Sequence, residues 1–261
     1  MRLTLLAIGL FSASSAMAAP SALMFDDNDG MADAAKKEWQ ISAELGVLYT
    51  SGNTETESFK GKLNAAREYV SWRHKGVLDY YKAKQTDQDT GEDETTADKL
   101  FASAQTNYKF APDSVSSLFV FGSYENDKFS GYDYQATIAT GYGARYRYSE
   151  NLYADYEIGP GYSWRKPIVD DVVQETETSA ILRLAGNMVW DITENSRFSA
   201  LLASEIGEEN TKTRAEVSVS ANINASLAMK VSVAGTHNSY VSDETIEKLD
   251  TETAVTLVYT F

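Results

Sequence analysis

The sequence has no cysteine, so it offers neither a disulfide framework nor a thiolate for metal binding or nucleophilic attack. Only four prolines interrupt 261 residues, and sixteen tyrosines with abundant Thr and Val favour strands over helices. Basic residues are scarce: 23 Lys and Arg stand against 38 Asp and Glu, a formal net charge of −15. That balance argues against a nucleic-acid partner, because phosphate binding relies on basic patches. Beyond the first residues there is no long apolar run, and the mean hydropathy is −0.35.

What is present begins with MRLTLLAIGLFSASSAMA. Arg2, the mainly apolar run from Leu3 to Phe11 and the small-residue end Ala16-Met17-Ala18 read as a secretory signal over residues 1–18, cut after Ala18. A spanning helix needs about 20 apolar residues, which this stretch lacks. Residues 19–38 are poor in large apolar side chains and read as a periplasmic leader. Their Asp-Asp-Asn-Asp-Gly run, 26 to 30, is not a calcium loop. With Gly30 at the sixth position, the first and twelfth ligands would be Phe25 and Lys36, which give no oxygen to a cation.

From Trp39 the period is two. Trp39, Ile41, Ala43, Leu45, Val47 and Tyr49 share one face. Tyr134, Ala136, Ile138, Thr140, Tyr142, Ala144, Tyr146 and Tyr148 alternate with polar and small residues, and Leu152 to Trp164 repeat the pattern after the turn Ser149-Glu150-Asn151. A helix would need period 3.6. Twelve strands are predicted, beginning near 39, 57, 73, 99, 116, 132, 152, 178, 196, 213, 227 and 249. The phase of strand three stays open, because Val77, Tyr81 and Ala83 compete with His74, Leu78 and Tyr80.

The links between strands alternate between short turns and longer acidic stretches, 86–99, 166–178, 207–212 and 238–248, which hold fifteen acids against four lysines. Such asymmetry, an even strand count and both termini on one side describe a transmembrane antiparallel up-and-down β-barrel over residues 39–261. The strands are long enough to cross at a tilt, and aromatics gather at their ends. Trp39, Trp72, Tyr108, Tyr146, Tyr148, Trp190, Tyr259 and Phe261 are expected in a periplasmic belt. Tyr49, Phe59, Tyr124, Tyr132, Tyr134, Tyr162 and Trp164 are expected in an outer one. Closure satisfies every backbone group in hydrocarbon, and a polar lumen explains the modest hydropathy. A soluble barrel with its apolar face inside is the competing architecture.

Two stretches, ELGVLYTSGNTETESFKGKL (44–63) and YENDKFSGYDYQATIATGYGARY (124–146), resemble the salt-induced outer-membrane protein family, the YdiY-like proteins, long catalogued as a domain of unknown function. The likeness rests on the tip Thr50 to Thr54, on Asp127, Phe129 and Gly131, and on the spaced glycines Gly141 and Gly143. It implies a Gram-negative outer-membrane barrel, responsive to salt as the family name says, and no established activity.

Chemistry is sparse. His237-Asn238-Ser239 invites comparison with outer-membrane hydrolases that pair a strand-borne His with Ser, but nothing in the sequence supplies the orienting geometry, and no enzyme is expected. The expected lumen face is more informative: Arg145, Arg147, Asp155, Glu157, Arg165, Arg183, Arg197, Glu205, Arg214 and Glu216 belong to a set in which nine cations meet nine acids. Such a face describes a narrow passive channel for small or ionic solutes, or an envelope-integrity protein. The alternative is a plugged structural barrel whose charges pair with one another. No cofactor or metal is expected. Expected partners are outer-membrane lipid and lipopolysaccharide, and the barrel-assembly machinery, which would read the terminal Val255, Leu257, Tyr259 and Phe261.

Overall fold

A computed structural model of the protein describes residues 39–50, 55–86, 93–111, 114–127, 129–169, 172–241 and 247–261. The signal and leader expected over 1–38 lie outside the described residues. The strands are β1 (Gln40–Thr50), β2 (Glu55–Glu68), β3 (Trp72–Thr86), β4 (Asp93–Lys109), β5 (Ser116–Asp127), β6 (Tyr132–Ser149), β7 (Leu152–Val169), β8 (Val172–Val173), β9 (Glu177–Thr193), β10 (Ser196–Gly207), β11 (Thr211–Asn222), β12 (Leu227–Asn238) and β13 (Leu249–Thr260). Apart from the two-residue β8, which folds back on Ile168 and Val169, each strand pairs antiparallel with its chain neighbours. The ring closes through β1 and β13, where Ser42↔Thr260 to Leu45↔Leu257 pair. The result is a twelve-stranded barrel in which no barrel strand keeps a free edge along its whole length.

The two faces are inverted relative to a protein folded in water. Leu45, Val47, Leu63, Leu118, Val120, Ile158, Val217, Val231, Val255 and Leu257 point outward and are exposed. Glu44, Lys60, Lys62, Asp79, Glu125, Asp155, Glu157, Arg183, Arg214 and Glu252 are buried inside. Alternation places these two sets, and only an apolar surrounding makes that placement favourable. The rings of Trp39, Trp72, Tyr108, Tyr146, Tyr148, Trp190, Tyr259 and Phe261 all stand exposed around the end that carries both described termini. Tyr259 and Phe261 meet edge to face at 4.9 Å.

Connections at that end are tight: 69–71, 150–151, 194–195 and 223–226. At the opposite, loop end several strands run on further than the sequence suggests. The β3–β4 ladder continues to Thr86↔Asp93 past a register shift at Ala83/Lys84, so β4 starts at Asp93 and much of the acidic stretch 86–99 is strand. β10 and β11 likewise meet in a tight turn, closed by the Gly207 N–H donating to the Asn210 carbonyl at 3.1 Å. Backbone pairing outweighs the modest strand propensity of Asp and Glu when a neighbouring strand is already in place.

Strand three settles with Arg73, Val77 and Asp79 inward and Leu78 outward. Tyr132, expected in the outer aromatic belt, is instead 1% exposed. Register shifts at Glu125/Asp127 and Tyr132/Tyr134 change which face it presents, as bulges do. The tip beside it turns at Gly131, whose φ of 78° suits glycine.

The β6–β7 ladder is interrupted, without a change of register, between Ala139↔Gly161 and Tyr142↔Ile158. Pro160 has no N–H to give there. The backbones come so close that a methyl on Gly159 would lie 2.7 Å from the Gly141 Cα, which only a pair of glycines permits.

Candidate functional site: the barrel lumen

The lumen is filled in three tiers. At the loop end a set of ion pairs crosses the interior. Glu125 of β5 accepts from Lys212 of β11 at 2.8 Å and from the Arg214 guanidinium, and lies 3.8 Å from Lys99 of β4. Lys99 also reaches Asp127 at 3.0 Å, and Lys212 donates to Gln135 at 3.0 Å. β4 and β11 are six strands apart in the ring of twelve, on opposite walls. The Arg214 guanidinium nonetheless lies 5.1 Å from the Phe101 ring centre. Side chains from facing walls therefore meet, and this ion-pair bar spans the lumen.

The middle tier is apolar at its heart. Phe101, Phe119, Phe121 and Leu201 pack with Ala139, Ala185 and Ala203 in a buried cluster. The Arg183 guanidinium, on a side chain that is 1% exposed, sits 3.8 Å over Phe121 and donates to Glu205 at 2.9 Å. Glu205 also accepts from the Thr137 hydroxyl at 3.0 Å. A buried cation over an aromatic face gains ~2 kcal/mol, which offsets part of its desolvation. Beside this plug, Gln105 donates to Glu157 at 2.5 Å and to Asn107 at 2.9 Å. On the opposite wall Lys60 binds Glu252 at 2.7 Å, while Lys230 lies 3.4 Å from Glu44 and 3.2 Å from Glu216.

At the turn end the pairs are local. Arg145 grips Asp155 with two bonds, 2.6 and 2.8 Å, and stacks 4.8 Å from Tyr153. Arg197 meets Asp191 at 2.6 Å, and Glu68 takes Lys109 at 2.8 Å and Arg73 at 3.1 Å. These charges lie one above another because alternation aligns every second residue of neighbouring strands.

Of the residues singled out from the sequence, Arg145, Asp155, Glu157, Arg165, Arg183 and Arg214 are buried inside the barrel. Glu205, Glu216 and Arg197 are partly covered there, with side chains 11%, 11% and 16% exposed. Arg147 is exposed at the turn-end rim, where it donates to the Glu150 carbonyl at 3.4 Å. Val255, Leu257, Tyr259 and Phe261 are all outward and exposed.

Nothing in the local sequence pattern points directly to the bar at the loop end. Lys99 and Lys212 fall inside stretches that read as loops, and Glu125 and Asp127 sit beside a hairpin tip. A usable signal existed in the phase: Lys212 alternates with Arg214 and Glu216, and Lys99 with Phe101 and Gln105.

The histidines do not form a hydrolase site. His74 stacks on Trp72 with ring centres 6.2 Å apart and bonds Thr106, outside the barrel in the aromatic belt. His237 is exposed, whereas the Ser239 hydroxyl donates to Asn210 and accepts from the Thr211 N–H. Among the described residues no group of three or more His, Asp or Glu is arranged to hold a metal ion.

Compared with known proteins, the chain is 26% identical over 258 residues to the uncharacterized protein YdiY of Escherichia coli (strain K12), covering 98% of this chain and 96% of that one. Its fold is similar to the NanC porin, with a TM-score of 0.52 and 9% identity over 86% of this chain and 100% of that one. It is also similar to an outer-membrane channel of Pseudomonas putida F1, with a TM-score of 0.51 and 11% identity over 91% of this chain and 100% of that one. At such identities the likeness shows the fold, that of outer-membrane β-barrels. The family described as a protein of unknown function, DUF481, matches residues 43–261, most of the chain, and the chain belongs to that family.

Proposed function

We propose that the protein is a closed outer-membrane barrel of a Gram-negative envelope, a structural component whose resting state passes no solute. The observation that carries this reading is the bar at the loop end. Lys212 and Arg214 reach Glu125 across the lumen, and the Phe101, Phe119, Phe121 and Leu201 cluster packs beneath. A hydrated ion moving through would have to break buried charge pairs, each break leaving an uncompensated charge at a cost of about 3–5 kcal/mol. The sequence favours a narrow channel slightly over a plug; the crossing pairs reverse that preference.

In this reading the turn end, with both described termini and its aromatic belt, faces the periplasm, and the loop end faces lipopolysaccharide. The outward Val255, Leu257, Tyr259 and Phe261 act as the mark read by the assembly machinery. A second reading, a gated conduit for small solutes, draws support from the likeness in fold to a porin and a channel. It requires the bar to open. Liposome swelling separates the two: vesicles holding the folded protein stay osmotically intact toward a small sugar if the barrel is closed. Swelling at rates above empty vesicles would favour the conduit.

A further inference from the structure

Beside the bar lies a cavity of about 20 Å³ whose lining includes Glu125, Ser163, Arg165, Glu205, Lys212 and Arg214. We infer that this cavity is a binding site for a small oxyanion, a free carboxylate or phosphate. The inference goes beyond the closed-barrel reading and stands apart from it, since a closed barrel can still bind an anion beside the bar.

The charges point this way first. Three cations, Arg165, Lys212 and Arg214, line the cavity, each buried, against two carboxylates. Both carboxylates are already engaged: Glu125 by Lys212 and Arg214, Glu205 by Arg183 and Thr137. Among the described residues, Arg165 is the one lining cation that neither lining carboxylate engages.

The hydrogen-bond inventory points the same way. Among the described residues the buried Nε of Arg165 and of Arg214 has no acceptor, and behind Glu205 the Arg183 Nε and Nη2 are in the same condition. A buried guanidinium N–H without a partner is costly, and a charged acceptor satisfies it best. Among the described residues Arg165 is held by Glu209 at 3.2 Å and Glu177 at 3.7 Å, whose side chains are 64% and 41% exposed. These carboxylates are solvated, which weakens their hold on Arg165, so an entering anion competes with them. The acidic loop-end stretches oppose entry only over a screened distance, about 8 Å at physiological salt.

Size sets the class. The cavity has room for about one water molecule, so it seats a single oxygen among the cations; a small carboxylate or a phosphate enters with side-chain shifts, and anything bulkier is excluded there. The planar guanidinium fork suits oxygens of either kind.

Calorimetric titration of the folded full-length protein with acetate, and separately with inorganic phosphate, tests the site. One saturable site is expected for at least one of the two, and which of them binds fixes the chemistry. Arg165→Gln weakens it about ten- to a hundredfold, the worth of one charge-assisted bond. Ser163→Leu, which fills the cavity and keeps every charge, abolishes it. Arg147→Gln at the opposite rim leaves it unchanged. Heat-modifiable migration confirms that each variant is folded. The absence of saturable binding to either anion overturns the inference. So does binding that folded Arg165→Gln and Ser163→Leu both retain, or that Arg147→Gln loses equally.

Discussion

Replacing Glu125 by Gln strikes the lumen where its walls meet. The carboxylate is 3% exposed and faces Lys212 at 2.8 Å, Lys99 at 3.8 Å and the Arg214 guanidinium. The amide keeps the shape and removes the charge, so the three buried cations are left with Asp127, itself 3.0 Å from Lys99, and the partly buried Asp250 nearby. Two charge-assisted bonds, about 1.5–3 kcal/mol each, are weakened. Breaking a buried pair by removing one partner costs about 3–5 kcal/mol, because the remaining charge is buried without compensation. Reversible urea unfolding in lipid vesicles, followed by tryptophan fluorescence, is expected to show a loss of that size. Arg214→Gln alone loses a similar amount. The double variant loses less than the two together, with a coupling of about 1–3 kcal/mol. Arg147→Gln, at the exposed rim, stays within about 0.5 kcal/mol of the parent. If Glu125→Gln unfolds at the parent's urea concentration and the double variant is additive, the crossing bonds are not made in the membrane and the reasoning fails.

Gly159→Ala is expected to reduce the folded, heat-modifiable fraction sharply, since its methyl would meet the Gly141 Cα at 2.7 Å; Gly76→Ala, whose nearest neighbour is 3.9 Å away, leaves that fraction unchanged. An arginine at Val231 or Leu184, both outward on the apolar face, lowers the unfolding free energy by about 2–4 kcal/mol, and no loss would mean that these positions do not face lipid. Deleting Phe261, whose ring is 75% exposed and packs on Tyr259, is expected to lower the amount assembled in the outer membrane of cells, while refolding into detergent in vitro is nearly unchanged. Equal levels in cells would remove the terminal ring from the assembly signal.

The barrel was legible because lipid and lumen impose opposite demands on alternate residues, and strands such as Tyr134 to Tyr148 record both. β3 was illegible because its inward face carries Val77 beside Asp79, while its outward face carries Leu78 beside His74, so hydropathy gives no contrast between them. The lumen plug was hidden for a related reason. Phe101, Phe119 and Phe121 are inward, where the pattern leads one to expect polar residues, and an apolar side chain in a polar phase reads as noise. Local ion pairs such as Arg145–Asp155 join opposed residues of adjacent strands and follow from register. Glu125 and Arg214 are 89 residues apart, and their meeting depends on how far side chains reach across a closed ring, which no local pattern encodes.

Single-channel recording in planar bilayers tests the closed-lumen account most directly. The folded wild-type protein is expected to insert without conductance steps at moderate voltage, whereas Arg214→Ser combined with Phe121→Ser, which breaks the bar and hollows the apolar plug beneath it, gives small, discrete steps. Steady, ion-conducting steps from the wild type, unchanged in the double variant, would contradict it.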